Sequence, residues 1–207
     1  MAIIKVKRHT PVVDMTAMCD VCFLLLNFFI MTSQFKTPEA LPVDIPASTV
    51  QIKVPDNGIA TLSVATDKVF FSIPGQDVRV RLLERMSEQY GVGFTEAEKK
   101  NFSLTEGFGV PMKVLKSFLR LTVNEQQKSK LQIGIPTDSV GDKPSELSQW
   151  ILQARYAEKE IRNNELKFSI KGDSKMKYPD AKRVINILQE QKINKFSLIT
   201  NLRADHI

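Results

Sequence analysis

Cysteine is nearly absent from this chain. Of 207 residues only Cys19 and Cys22 carry a thiol, so everything after them must hold together without a disulfide. A C-x-x-C redox motif needs a soluble βαβ setting, and both of these thiols fall in an apolar run. Histidine is as scarce. His9 and His206 stand at opposite ends, and they make no metal site with the two cysteines. There is no G-x-G-x-x-G, no P-loop, no H-E-x-x-H and no nucleophile elbow. Gly107-Phe108-Gly109 is one glycine pair and reads as a turn. Asp138 and Asp142 flank a loop ahead of a helix and read as surface. No enzyme chemistry is legible and no cofactor is implied, which leaves a binding module.

Acidic charge is in deficit. The formal net charge is +6, yet charged residues are an ordinary 25%. The excess lies thinly through residues 113–130 and 167–195, without aromatic interleaving or any nucleic-acid signature. It reads as solvated surface, with a secondary attraction to anionic headgroups or cell-wall polymers. Nucleic acid is not an expected partner.

There is one long apolar run, residues 12–35, VVDMTAMCDVCFLLLNFFIMTSQF. At 1.5 Å rise per residue such a helix covers roughly 36 Å, enough for a hydrocarbon core of about 30 Å. Lys5, Lys7 and Arg8 precede it, as they would a secretory signal. No small-x-small cleavage site follows, however, and Asp20 would weaken a targeting signal, so the run reads as an uncleaved transmembrane helix. Only Lys36 follows closely, with Glu39 and Asp44 behind it. The excess of positive charge before the span puts the N-terminal tail in the cytoplasm and the rest outside.

Asp20 is the most informative residue of that run. Thr16, Asp20 and Asn27 are separated by four and seven residues, which places them on one helical face beside Phe23, Leu24 and Met31. Asp14 lies near the cytoplasmic end, in reach of the interface. A polar stripe should face protein or water, so a second copy or another membrane protein is implied. A carboxyl faced by apolar groups stays neutral, and one facing water or a cation ionises. That is the behaviour of a two-state proton carrier. One charge moved through the membrane potential is worth about 2.3 kcal/mol per 100 mV. The alternative is helix pairing alone. Polar pairing contributes about 0.6–2 kcal/mol, while a charged aspartate at the centre of a span costs at least about 2.5 kcal/mol. A protonated, purely structural Asp20 therefore stays open.

Beyond the span, residues 36–58 carry Pro38, Pro42, Pro46 and Pro55 and read as an extended connector. Leu41, Val43 and Ile45 alternate within it, as do Val50, Ile52 and Val54. Such pieces suit a linker or an edge strand able to add to another chain. Residues 59–64 and 68–73 read as two strands around a turn. Residues 77–90 read as a helix with Val78, Leu82, Leu83 and Met86 inward and Gly91 as its end. Thr95 and Glu98 match a capping box, with little apolar periodicity after it. Pro111 opens a helix with Val114, Leu115, Phe118 and Leu119 inward, running towards Lys130. Residues 131–135 read as a short strand. Next come a helix over 145–162 with Leu147, Trp150, Ile151, Ala154 and Ala157 inward, and a strand over 166–170. A helix from Pro179 to Lys192 follows, with Ala181, Val184, Ile185 and Leu188 inward, and then a strand over 195–200. This order predicts an α+β domain over residues 59–207 with helices on one face of a sheet.

The N-terminal segment D-M-T-A-M-C-D, followed by a Leu/Phe-rich helix, resembles the ExbD/TolR family of small single-span partners of proton-driven inner-membrane motors. Residues 170–200, IKGDSKMKYPDAKRVINILQEQKINKFSLIT, are similar to the family's strand, charged loop, helix and last strand. The resemblance implies a pair of helices inside a ring of multi-span ExbB-like subunits. It implies Asp20 as the membrane proton carrier, with protons as the coupling ion, and Thr16 as the family's threonine four residues before it. It implies force passed to a TonB-like protein that opens outer-membrane transporters. Residues 41–48, with Leu41, Val43 and Ile45, resemble the post-membrane strand that exchanges between protomers or meets that partner. It also implies a bacterial inner-membrane location, with residues 1–11 cytoplasmic, 12–35 membrane-spanning and the α+β domain periplasmic.

Three features depart from the family pattern. Ala17 stands where proline often follows the threonine, and Asp14 stands where asparagine is common. Residues 74–130 exceed the compact family domain and read as an enlarged helical insertion. A TolR-like role in envelope integrity, binding peptidoglycan, shares Asp20 with the ExbD-like one. A membrane-tethered structural protein without a proton role would tolerate Asp20→Asn. A secreted enzyme would require cleavage near residue 33.

Overall fold

The computed structural model describes residues 15–33, 47–48, 58–122, 125–126, 129, 131–139, 144–173, 176–199 and 201–202. The chain divides into two compact units, Met1–Thr37 and Pro38–Ile207. In the first unit the described structure is helix α1, Met15–Thr32, followed by Ser33, whose amide donates to the Phe29 carbonyl at 2.9 Å. Its 18 residues make a rod of about 27 Å, long and apolar enough to cross a membrane. None of its residues is buried.

The second unit is a mixed α+β domain with more helices than a compact two-layer fold needs. Strand β2, Ile59–Ala65, turns through Asp67 into β3, Lys68–Ser72, and the two pair antiparallel with Leu62 opposite Phe71. Asp67 sits at φ 56, a left-handed position that aspartate tolerates in turns. Helices α2, Gln76–Tyr90, and α3, Glu96–Leu104, come next, then the short strand β4, Gly107–Phe108, and α4, Met112–Leu119. Helix α5, Glu146–Arg162, leads to β5, Lys167–Gly172, then α6, Tyr178–Glu190, and β6, Phe196–Ile199. The five strands lie in the order β4-β3-β2-β5-β6. Strands β2, β5 and β6 run parallel, and the β3–β4 pair is antiparallel. A separate two-stranded sheet pairs β1, Ala47–Ser48, with β7, Asn201–Leu202, in parallel.

Strand alternation decides which sheet face meets the helices. Ala60, Leu62 and Val64 of β2 are buried in the core, and the residues between them are half-buried. On the opposite face Thr61 and Ser169 share a cross-strand hydroxyl hydrogen bond of 3.0 Å. The core is centred on Trp150 of α5. Its ring lies 4.7 Å from Phe108 of β4 and 6.2 Å from Phe102 of α3. Phe108 in turn is 6.3 Å from Phe71 of β3. Segments far apart in sequence thus share one aromatic cluster.

The helix ends follow local chemistry. Gly91 takes the left-handed C-cap of α2 at φ 67. Thr95 and Glu98 form a complete capping box at α3, and Arg120 holds the other Glu98 oxygen at 3.2 Å. A helix does follow this box, although Phe102 is its one buried apolar side chain. The buried stripe expected for α5 is present in full, and Glu158 joins it.

Four expectations are corrected. Helix α4 ends at Leu119, well short of Lys130. Residues 131–135 form no strand. Gly134 and Ile135 donate single backbone hydrogen bonds to Gly109 and Val69, each 2.8 Å, and Gly134 at φ 103 breaks the extended path. Gly107-Phe108 is strand β4, pulled into the sheet by the burial of Phe108. In α6 Ile187 is buried, and Ala181 and Ile185 are only partly so. Val50, Ile52 and Val54 lie outside the described residues.

Two stability outcomes follow. Trp150→Ala removes the centre of the aromatic cluster and should cost about 3–5 kcal/mol in urea unfolding followed by circular dichroism. Thr95→Ala leaves the fold intact and should cost about 1 kcal/mol through loss of the cap.

Candidate functional site

Along α1 each residue advances about 100°. On that spacing Thr16, Asp20 and Asn27 fall within an arc of roughly 40°. Phe23, Leu24 and Met31 flank the same arc, and Cys22 lies nearly opposite. All of these side chains are exposed within the chain. Thr32 turns inward by donating its hydroxyl to the Phe28 carbonyl at 2.7 Å, and Phe28 and Phe29 stack edge to face at 6.0 Å. The helix therefore carries a narrow polar stripe of exposed side chains. Asp14, Leu41, Val43 and Ile45 lie outside the described residues.

Among the described residues no group of three or more His, Cys, Asp or Glu could hold a metal. Two carboxylates of the α+β domain hold helices in place. Glu160 bridges Arg81 at 2.7 Å and Arg85 at 2.6 Å, tying α5 to α2. Those two arginines hold the Glu160 carboxyl down at about 2. Glu146, in the first turn of α5, accepts the Met112 amide and so caps α4. Burial pushes its carboxyl up.

Glu158 is different. It is fully buried, and neither of its carboxylate oxygens has a hydrogen-bond partner. Its nearest cation is Arg162 Nη1 at 3.7 Å, and Arg162 Nη2 is already committed to Asp77 at 3.0 Å. Burial pushes the Glu158 carboxyl above its ordinary range, with Arg162 opposing and Asp77 adding. Burial also works to raise Asp77, but the Val78 amide and Arg162 outweigh it and hold that group low. Sequence reasoning missed Glu158. The signal was there, since it stands four residues after Ala154 on the apolar stripe of α5.

The chain places one helix long and apolar enough to cross a membrane ahead of a mixed α+β domain with extra helices. A family model described as "Biopolymer transport protein ExbD/TolR" matches residues 6–202, and the chain belongs to that family. No curated protein and no solved structure matches the chain.

Two measurements test these placements. Asp at the centre of a span is disfavoured by roughly 2.5–3.5 kcal/mol, so Asp20→Leu should make translocon insertion of α1 easier by about 3 kcal/mol. A glycosylation-based insertion assay reads this directly. The folded Glu160 carboxyl lies below its unfolded value, so the bridge stabilises above about pH 4.5 and is lost as pH falls towards 2. Glu160→Gln should lower Tm at neutral pH and low salt, and that difference should vanish in acid.

Proposed function

We propose that this chain is an ExbD-like subunit of a proton-driven motor in a bacterial inner membrane, with Asp20 as the proton carrier. The observation that carries the reading is a carboxylate on the exposed polar stripe of α1 in a chain of the ExbD/TolR family. Thr16 and Asn27 line the same stripe and offer hydroxyl and amide groups to a proton path. Asp14 stands near the cytoplasmic mouth.

The assigned partners are a second copy of the chain and a ring of ExbB-like multi-span subunits. These would cover the stripe and alternate the surroundings of Asp20 between apolar groups and water or a cation. Each alternation lets the carboxyl take up a proton on one side and release it on the other. The resulting motion would pass to a TonB-like protein and energise outer-membrane transport. Residues 1–11 form the cytoplasmic tail, 12–35 the span and 36–58 the connector. Residues 59–207 form the periplasmic domain, with the added helices of 74–130 as an insertion. Leu41, Val43 and Ile45 are the residues assigned to strand exchange or to the TonB-like partner.

The family description names TolR beside ExbD, so a TolR-like subunit serving envelope integrity is the second reading. The net charge of +6 would suit an anionic cell-wall polymer. Co-sedimentation of the protein with peptidoglycan supports this role, and failure to sediment favours the ExbD-like one.

The test is gradient-driven proton flux in vesicles holding this chain with its ring partner. Asp20→Asn keeps size and hydrogen bonding but cannot titrate, and it should reduce flux at least about tenfold with the complex still assembled. Thr16→Val and Asn27→Leu should reduce it by a smaller, several-fold factor. Unchanged flux in Asp20→Asn would contradict the assignment and leave Asp20 as a helix-pairing group.

A further inference from the structure

Glu158 lies where four segments of the α+β domain meet. A Cβ on Gly58, which directly precedes β2, would stand 3.7 Å from Glu158 Oε1 and 3.8 Å from Asn164 Nδ2. Gly58 takes φ +74, and its carbonyl accepts the Lys167 amide at 3.0 Å, which locks the start of β2 to β5. Gly75 at the N-terminus of α2 leaves no room for a side chain, because a Cβ there would reach 2.1 Å from Arg162 Nη2. The groups facing Glu158 are therefore Arg162 from its own helix, Asp77 from α2, Gly58 just ahead of β2 and Asn164 from the loop after α5. Lys167, at the start of β5, points to solvent.

Charge balance is the decisive point. One guanidinium serves two carboxylates, at 3.0 Å for Asp77 and 3.7 Å for Glu158. With Glu158 protonated, the triad is neutral. With Glu158 ionised, it carries an uncompensated negative charge on a buried group that accepts no hydrogen bond. An ion pair held so loosely does not repay desolvation. Opening the junction to water would hydrate the charge.

We propose that Glu158, Arg162 and Asp77 form a proton-linked latch that closes the start of β2 onto α2 and α5, shut when Glu158 is protonated and released when it ionises. The raised Glu158 carboxyl agrees with this geometry. The sign follows from linkage. The closed state binds more protons than the open one between the ordinary carboxyl value of 4.5 and the raised closed-state value. In that window the opening constant rises with pH, up to about tenfold per pH unit for one proton. The latch goes beyond the motor reading and does not depend on it. Its position still matters to that reading, because the connector reaches the domain through Gly58.

The test uses the full chain in lipid nanodiscs without any ring partner. Amide hydrogen exchange is measured from about pH 4.5 to 8 and corrected for the intrinsic pH dependence of exchange. Wild type should show opening of the amides of residues 59–62 and 163–167 that climbs with pH towards about tenfold per unit. Glu158→Gln should stay closed and flat across the series. Equal pH dependence in both proteins would overturn the latch. If Glu158→Gln does not fold, the infrared carbonyl band of protonated glutamate in wild type decides. A band that fades as these amides open supports the proposal. A band that is absent or unchanged across the series overturns it.

Discussion

A carboxylate cannot stay charged in a low-dielectric setting without a partner, and this chain places two where partners are short. Asp20 rides on a helix that has no buried residue. Glu158 is sealed inside the domain with one shared guanidinium at 3.7 Å. In hydrocarbon an ionised aspartate costs at least about 2.5 kcal/mol, so a membrane around α1 would favour a proton or a second chain at Asp20. Burial penalises the charged form of Glu158 and makes that group sensitive to what approaches it. A residue whose charged form is penalised changes state when its surroundings do.

The domain that follows the helix is built around a single core. Trp150 gathers Phe102 from α3 and Phe108 from β4, and Phe71 of β3 touches the same cluster. The added helices α2, α3 and α4 all bury side chains in that core. Surface bridges such as Arg81–Glu160 add alignment of α2 on α5 more than net stability.

Much of this was legible because local signals agreed with one another. The strands β2 and β3, the C-cap at Gly91 and the apolar stripe of α5 each follow from periodicity or turn chemistry. The family resemblance rested on a short motif around Asp20 and on residues 170–200, and the family model extends over residues 6–202. What escaped was decided by tertiary contact. Phe108 becomes strand because its ring is needed in the core, and residues 131–135 lose their strand to a left-handed Gly134. Glu158 escaped because a glutamate near a helix C-terminus reads as solvated until the packing around Gly58 is known. Asp20 was conspicuous from the start, because hydrocarbon makes any carboxylate an exception.

The most direct measurement is the protonation state of Asp20 in the assembled complex. Infrared difference spectroscopy in bilayers, with and without an imposed proton gradient, reads the carbonyl band of a protonated aspartate, and Asp20→Asn assigns it. The account predicts a band that responds to the gradient and disappears in the variant. A carboxyl locked in one form under both conditions would contradict a proton-carrying role.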